Sequence, residues 1–195
     1  MNWEYIYISE LTDDEYAYGL SLMSEEKRRK LNNFLYVDDR KRTVAGELLA
    51  RRMISPQIGL PVEKIEFETD ERGKPYVTGG GIEFNISHSD GAAVCCVDTK
   101  PVGIDVEKIR SVNPAVLKRV CKDNDYDYII SGEPADVLSR EQLHRFFEVW
   151  TAKEAYLKRI GTSIKDIRTV SFEEIRDGIK CFRLEDYLIS ISTSR

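Results

Sequence analysis

The sequence has little cysteine, no long apolar run, no excess of basic charge and no tract of simple composition. Its four cysteines, Cys95, Cys96, Cys121 and Cys181, form no Cys-x-x-Cys pair and have no histidine at ligand spacing, which argues against a structural zinc site. They read as buried free thiols of a reducing compartment. Uncharged stretches such as 75–82 and 91–97 fall far short of the roughly 18 apolar residues that a membrane-spanning helix needs. No membrane association is expected. The opening Met1-Asn2-Trp3-Glu4 has neither a basic n-region nor an apolar h-region, so no secretory leader is expected and a cytoplasmic location is. Lys and Arg total 29 against 34 for Asp and Glu, a net charge of −5 that speaks against a general nucleic-acid binder. A local basic pocket for a small anion stays open.

What is present is an ordinary globular composition, 42% apolar and 32% charged over 195 residues, enough chain for one domain or two small halves. Residues 3–8 alternate as a strand. Thr12 and Glu15 form a capping box that opens a helix to about Leu22, and Ser24 caps a second, which carries the run Lys27-Arg28-Arg29-Lys30. A longer helix is expected from Asp38 or Asp39 to near Pro56, with Val44, Leu48 and Leu49 on one face. Strands follow at 65–68, 82–87, 92–98 and 102–107. Asn113-Pro114 starts a helix to about Cys121, and Ser139 with Gln142 caps the strongest helix, ended by Gly161. Strands at 169–172, 179–184 and 187–193 complete an α+β chain, with the turn at 98–101 as the plausible midpoint.

Three segments hold polar groups where packing alone would not ask for them. In Gly103-Ile104-Asp105-Val106-Glu107 the two acids are two apart, so a strand presents both on one face. Side by side they repel unless a cation lies with them, and hard carboxylate oxygens favour Mg²⁺. An isolated pair of this kind is most simply an exposed strand face. In Trp150-Thr151-Ala152-Lys153-Glu154 and on to Lys158, residues 150, 154 and 158 share a helix stripe. Glu154 and Lys158 are either a plain surface pair or a third metal ligand beside a phosphate-binding lysine. Trp150 and His144 read as structural. In Phe84-Asn85-Ile86-Ser87-His88-Ser89, the absence of a nucleophile elbow favours Ser87 and His88 as anion ligands over a hydrolytic triad.

Taken in order with Gly73-Lys74-Pro75, these motifs resemble the signature of the 4′-phosphopantetheinyl transferases, in particular the monomeric, two-half Sfp-type branch. Upstream, Lys27, Lys30 and the pair Arg42-Thr43 extend the resemblance over nearly the whole chain. The resemblance implies two similar α+β halves in a pseudo-twofold arrangement, 1–100 on the 3′-phosphate side and 101–195 with the metal and the catalytic helix, and coenzyme A bound between them. It implies transfer of the phosphopantetheine arm of coenzyme A to a serine of an apo acyl or peptidyl carrier protein, releasing 3′,5′-adenosine bisphosphate. By the same analogy Asp105, Glu107 and Glu154 hold Mg²⁺ and Lys158 binds the pyrophosphate. Lys27, Lys30, Thr43 and His88 match positions around the 3′-phosphate, and Arg42, Lys74 and Ser87 match further coenzyme contacts.

In-line attack on phosphorus needs charge neutralisation and positioning more than covalent help. The carboxylate that takes the serine proton is Glu154, Glu107 or Asp125. Residues 111–128 mix apolar side chains with Lys118, Arg119 and Lys122, and in relatives this region docks the acidic carrier. Two rivals remain. A Mg²⁺-dependent nuclease also clusters acids and a lysine, but its acid and lysine usually stand two apart, not four. A non-catalytic coenzyme- or carrier-binding module should have lost members of the set Asp105, Glu107, Glu154 and Lys158, and all are present.

Overall fold

The structure, a computed structural model, describes residues 1–132 and 136–194. The chain divides into two compact units, Met1–Pro101 and Val102–Arg195.

In the first unit, β1 (Asn2–Tyr7) leads to α1 (Asp13–Leu22), where Thr12 and Glu15 close the expected capping box. Ser24 caps α2 (Glu25–Asn32). The long helix α3 (Val37–Ile58) begins slightly before the expected aspartates, at a Tyr36 cap that makes no side-chain bond, and runs through Pro56 to a left-handed Gly59. Its buried run from Val44 to Arg51 packs on the sheet, so tertiary burial rather than local capping sets its length. After a 3₁₀ turn come β2 (Phe67–Thr69), β3 (Pro75–Val77), β4 (Glu83–Ser89) and β5 (Ala92–Asp98). The expected strand at 65–68 starts later because the Ile65 carbonyl is taken by Arg51. The short β3, opening on Pro75, pairs only with β2. The main sheet is antiparallel with order β1-β5-β4, and β5, at its centre, is buried almost throughout.

The second unit starts with β6 (Val102–Lys108). The Asn113-Pro114 start holds, but the expected helix is a 3₁₀ turn followed by the short α4 (Leu117–Val120). A separate α5 (Asp123–Ile130), which the sequence pattern did not reveal, comes next. The helix α6 (Arg140–Ile160) has the Ser139–Gln142 capping box and the left-handed Gly161 stop. The expected strand at 169–172 does not exist; the segment leaves a 3₁₀ turn and enters α7 (Phe172–Ile175), where the Phe172 amide donates to Asp125 Oδ1 at 2.8 Å. The unit closes with β7 (Ile179–Leu184) and β8 (Tyr187–Thr193), giving an antiparallel sheet of order β6-β8-β7.

The two units therefore repeat one topology. In each, the first strand lies beside the last, the strand before the last completes the sheet, and a long helix precedes that final hairpin. Cys95, Cys96 and Cys121 are buried thiols as expected, but Cys181 is exposed on the edge strand β7. No helix among the described residues is long and apolar enough to cross a membrane.

Candidate active site

Strand β6 and helix α6 build the acidic cluster. Gly103 lets them meet: a Cβ there would stand 2.1 Å from the Ala155 carbonyl oxygen and 2.5 Å from the Arg159 nitrogen. With the backbones this close, Asp105 of β6 faces the last turns of α6. Asp105 is 2% exposed, and its Oδ1 accepts a hydrogen bond of 2.6 Å from Lys158 Nζ. The same ammonium lies 3.8 Å from Glu154 Oε2, one helical turn earlier. Glu107, two residues along β6, is more open and pairs with Arg110 at 3.1 Å.

The electrostatics follow from this crowding. Burial, then the charge of Asp105, pushes the Glu154 carboxyl up to about 8, with Glu107 adding to the effect and Lys158 opposing it. For Lys158, burial favours the neutral amine, yet Asp105 and Glu154 outweigh it and raise its pKa. The cluster is thus short of positive charge, with one ammonium serving several carboxylates. That deficit, met by hard oxygen donors, fits a divalent cation such as Mg²⁺. Among the described residues no three acids, histidines or cysteines are drawn together at ligating distances; Lys158 is the cation that bridges Asp105 and Glu154 here.

The other expected residues belong to the first unit. Arg42 pairs with Asp39 and donates to the Asp90 carbonyl at 2.6 Å, which ties α3 to the turn after His88. Thr43 donates its hydroxyl to the Asp39 carbonyl at 2.9 Å. On β4, Ser87 is buried and His88 exposed. Lys74 pairs with Glu83 at 3.1 Å, at the start of the same strand. Lys27 and Lys30 have different surroundings. Lys30 pairs with Glu26 on the exposed surface of α2, whereas Lys27 reaches Glu47 of α3 at 2.8 Å and lines a cavity of about 370 Å³ with Phe67 and Arg51.

Two features escaped the sequence reading. Glu47 and Arg51 form a buried pair at 2.8 Å that holds Lys27; their four-residue spacing was the available signal. Lys153, inside the motif around Trp150, is fully buried and paired with Asp125, and it also donates to the Val120 carbonyl at 2.9 Å. Asp125 additionally accepts from the Lys122 and Phe172 amides. Its oxygens are committed to structure, which removes it from the candidate bases.

Comparison with known proteins gives the family. A family profile described as 4′-phosphopantetheinyl transferase, N-terminal, matches residues 10–100, and one described as 4′-phosphopantetheinyl transferase superfamily matches residues 101–194. The chain is 36% identical to 4′-phosphopantetheinyl transferase psf-1 of Bacillus pumilus over 85% of its own length and 70% of the relative's. This chain belongs to the 4′-phosphopantetheinyl transferase family. It is thereby one of the enzymes that move phosphopantetheine from coenzyme A to a carrier protein. It is also 33% identical to 4′-phosphopantetheinyl transferase Sfp of Bacillus subtilis, covering 90% of this chain and 77% of that one. The match to 4′-phosphopantetheinyl transferase gsp of Aneurinibacillus migulanus is 38% identical over 72% of this chain, and spans 57% of the relative.

Proposed function

We propose that Asp105, Glu107, Glu154 and Lys158 are the reacting end of this transferase. The observation that carries the reading is the partly buried Asp105–Lys158–Glu154 contact, with the Glu154 carboxyl pushed up to about 8 by burial and by Asp105. Mg²⁺, held by Asp105, Glu107 and Glu154, supplies positive charge beside the pyrophosphate when bound. Lys158 stabilises charge on the departing 3′,5′-adenosine bisphosphate. The serine oxygen bonds to phosphorus as the bond to that leaving group breaks, and Glu107 or Glu154 takes the serine proton. Lys27, Lys30, Thr43 and His88 recognise the 3′-phosphate region of coenzyme A, with Arg42, Lys74 and Ser87 as further contacts. Lys118 and Arg119, exposed while Leu117 and Val120 point inward, offer positive charge to an acidic carrier. The protein works as a cytoplasmic monomer.

Rates measured by intact mass of an apo carrier, against Mg²⁺ concentration, test the assignment. Glu154→Gln should raise the Mg²⁺ needed for half-maximal rate, because an amide oxygen is a poorer hard ligand. Lys158→Ala should lower the rate by about a hundredfold with that requirement nearly unchanged. Equal, small effects from both would leave only a surface ion pair and defeat the reading.

A further inference from the structure

The second unit contains a cavity of about 460 Å³ lined by Tyr156 and Arg159 of α6, Glu174 of α7, and Ser192, Thr193 and Ser194 at the end of β8. Lys158 and its carboxylates are not part of its wall. The arginine is held in place. Its Nε donates to Ser192 Oγ at 3.0 Å, and its guanidinium carbon sits 5.1 Å from the centre of the Tyr156 ring. Ser192 is itself 1% exposed, and Arg159 is half-buried.

No acidic side chain forms an ion pair with Arg159 among the described residues, although thirteen such pairs occur elsewhere. Its two terminal nitrogens make no hydrogen bond there either. A half-buried guanidinium held in one orientation, with no acidic partner, keeps its two terminal nitrogens available to donate to an anion. Ser194 lines the same cavity, and its Oγ is buried and has no hydrogen-bond partner among the described residues. A guanidinium edge and an idle hydroxyl on one cavity wall are a donor set for oxyanions. Glu174, exposed at the cavity, leaves the guanidinium as the attractive end and disfavours a ligand that is anionic throughout.

We propose that this cavity binds a small oxyanion, the phosphate or carboxylate head of a ligand, at Arg159 and Ser194. The site is separate from the coenzyme contacts proposed above, none of which lines it. Phosphate and acetate are the probes, each titrated into the full chain while the Arg159 Nε–H and Ser194 amide resonances are followed. Saturable shifts with at least one anion are expected, and the tighter of the two identifies the head group. Arg159→Gln should abolish the Ser194 shift, and Ser194→Ala should weaken binding about three- to tenfold, while carrier modification stays within about twofold in both. Shifts that fail to saturate with either anion would overturn the proposal. So would a Ser194 shift that survives in Arg159→Gln. Should Arg159→Gln not fold, Ser194→Ala decides, and an unweakened affinity in that variant counts against the site.

Discussion

Lys153 shows how far the role of a residue depends on where its side chain ends. It lies one position before Glu154, yet it is wholly buried and spends its charge on Asp125 and a carbonyl. Removing one partner of such a pair strands the other, so Lys153→Ala should cost about 3–5 kcal/mol of stability in urea unfolding. Replacing both, as Lys153→Met with Asp125→Leu, should recover part of that loss, limited by the amides of Lys122 and Phe172 that Asp125 also satisfies. The cysteines differ in the same local way. Burial pushes the Cys121 thiol up to about 12 and raises Cys95 well above its ordinary value. Alkylation requires the thiolate, which is scarce at pH 8 when the pKa lies far above it. Burial raises Cys181 too, but it alone is exposed. Iodoacetamide at pH 8 should therefore add one label to the native protein, at Cys181 by peptide mass, and reach the rest only after denaturation.

At the scale of elements, the contact between β6 and α6 governs the site. Gly103 lies against helix backbone, which cannot yield as a flexible side chain could. Gly103→Ala should cost about 3 kcal/mol or more, at the upper end of overpacking, and reduce transfer through displacement of Asp105 two residues on. Denaturation followed by circular dichroism, with the rate measured on the folded fraction, checks both effects. The capped helices were legible because their signals are local: Thr12 with Glu15, Ser24, and Ser139 with Gln142 all act within one turn. The segment 169–172 was misread as a strand for the converse reason. Its apolar residues suit either state, and the bond that recruits Phe172 comes from Asp125, 47 positions earlier.

For the whole molecule, the formal charge is −5 and no helix among the described residues is long and apolar enough to cross a membrane, and the proposed monomer has a direct test. Light scattering behind size exclusion should give a mass of 22.5 kDa, and a value twice that would contradict the monomer. The sequence by itself determined the chemistry-bearing motifs, their order and hence the family, because residue types and spacings suffice for that. It also determined the helix caps and the alternation that sets Asp105 and Glu107 together. The family resemblance implied two similar halves, but the strand order they share came only from the tertiary structure, since a topology can repeat with no repeat in the residues. Tertiary structure alone turned Lys27 toward Glu47, withdrew Asp125 from proton transfer and gathered Asp105 with Glu154 and Lys158. These outcomes hang on contacts between residues far apart in the chain, where burial and the pairing of charge select the partner, and no local pattern records them.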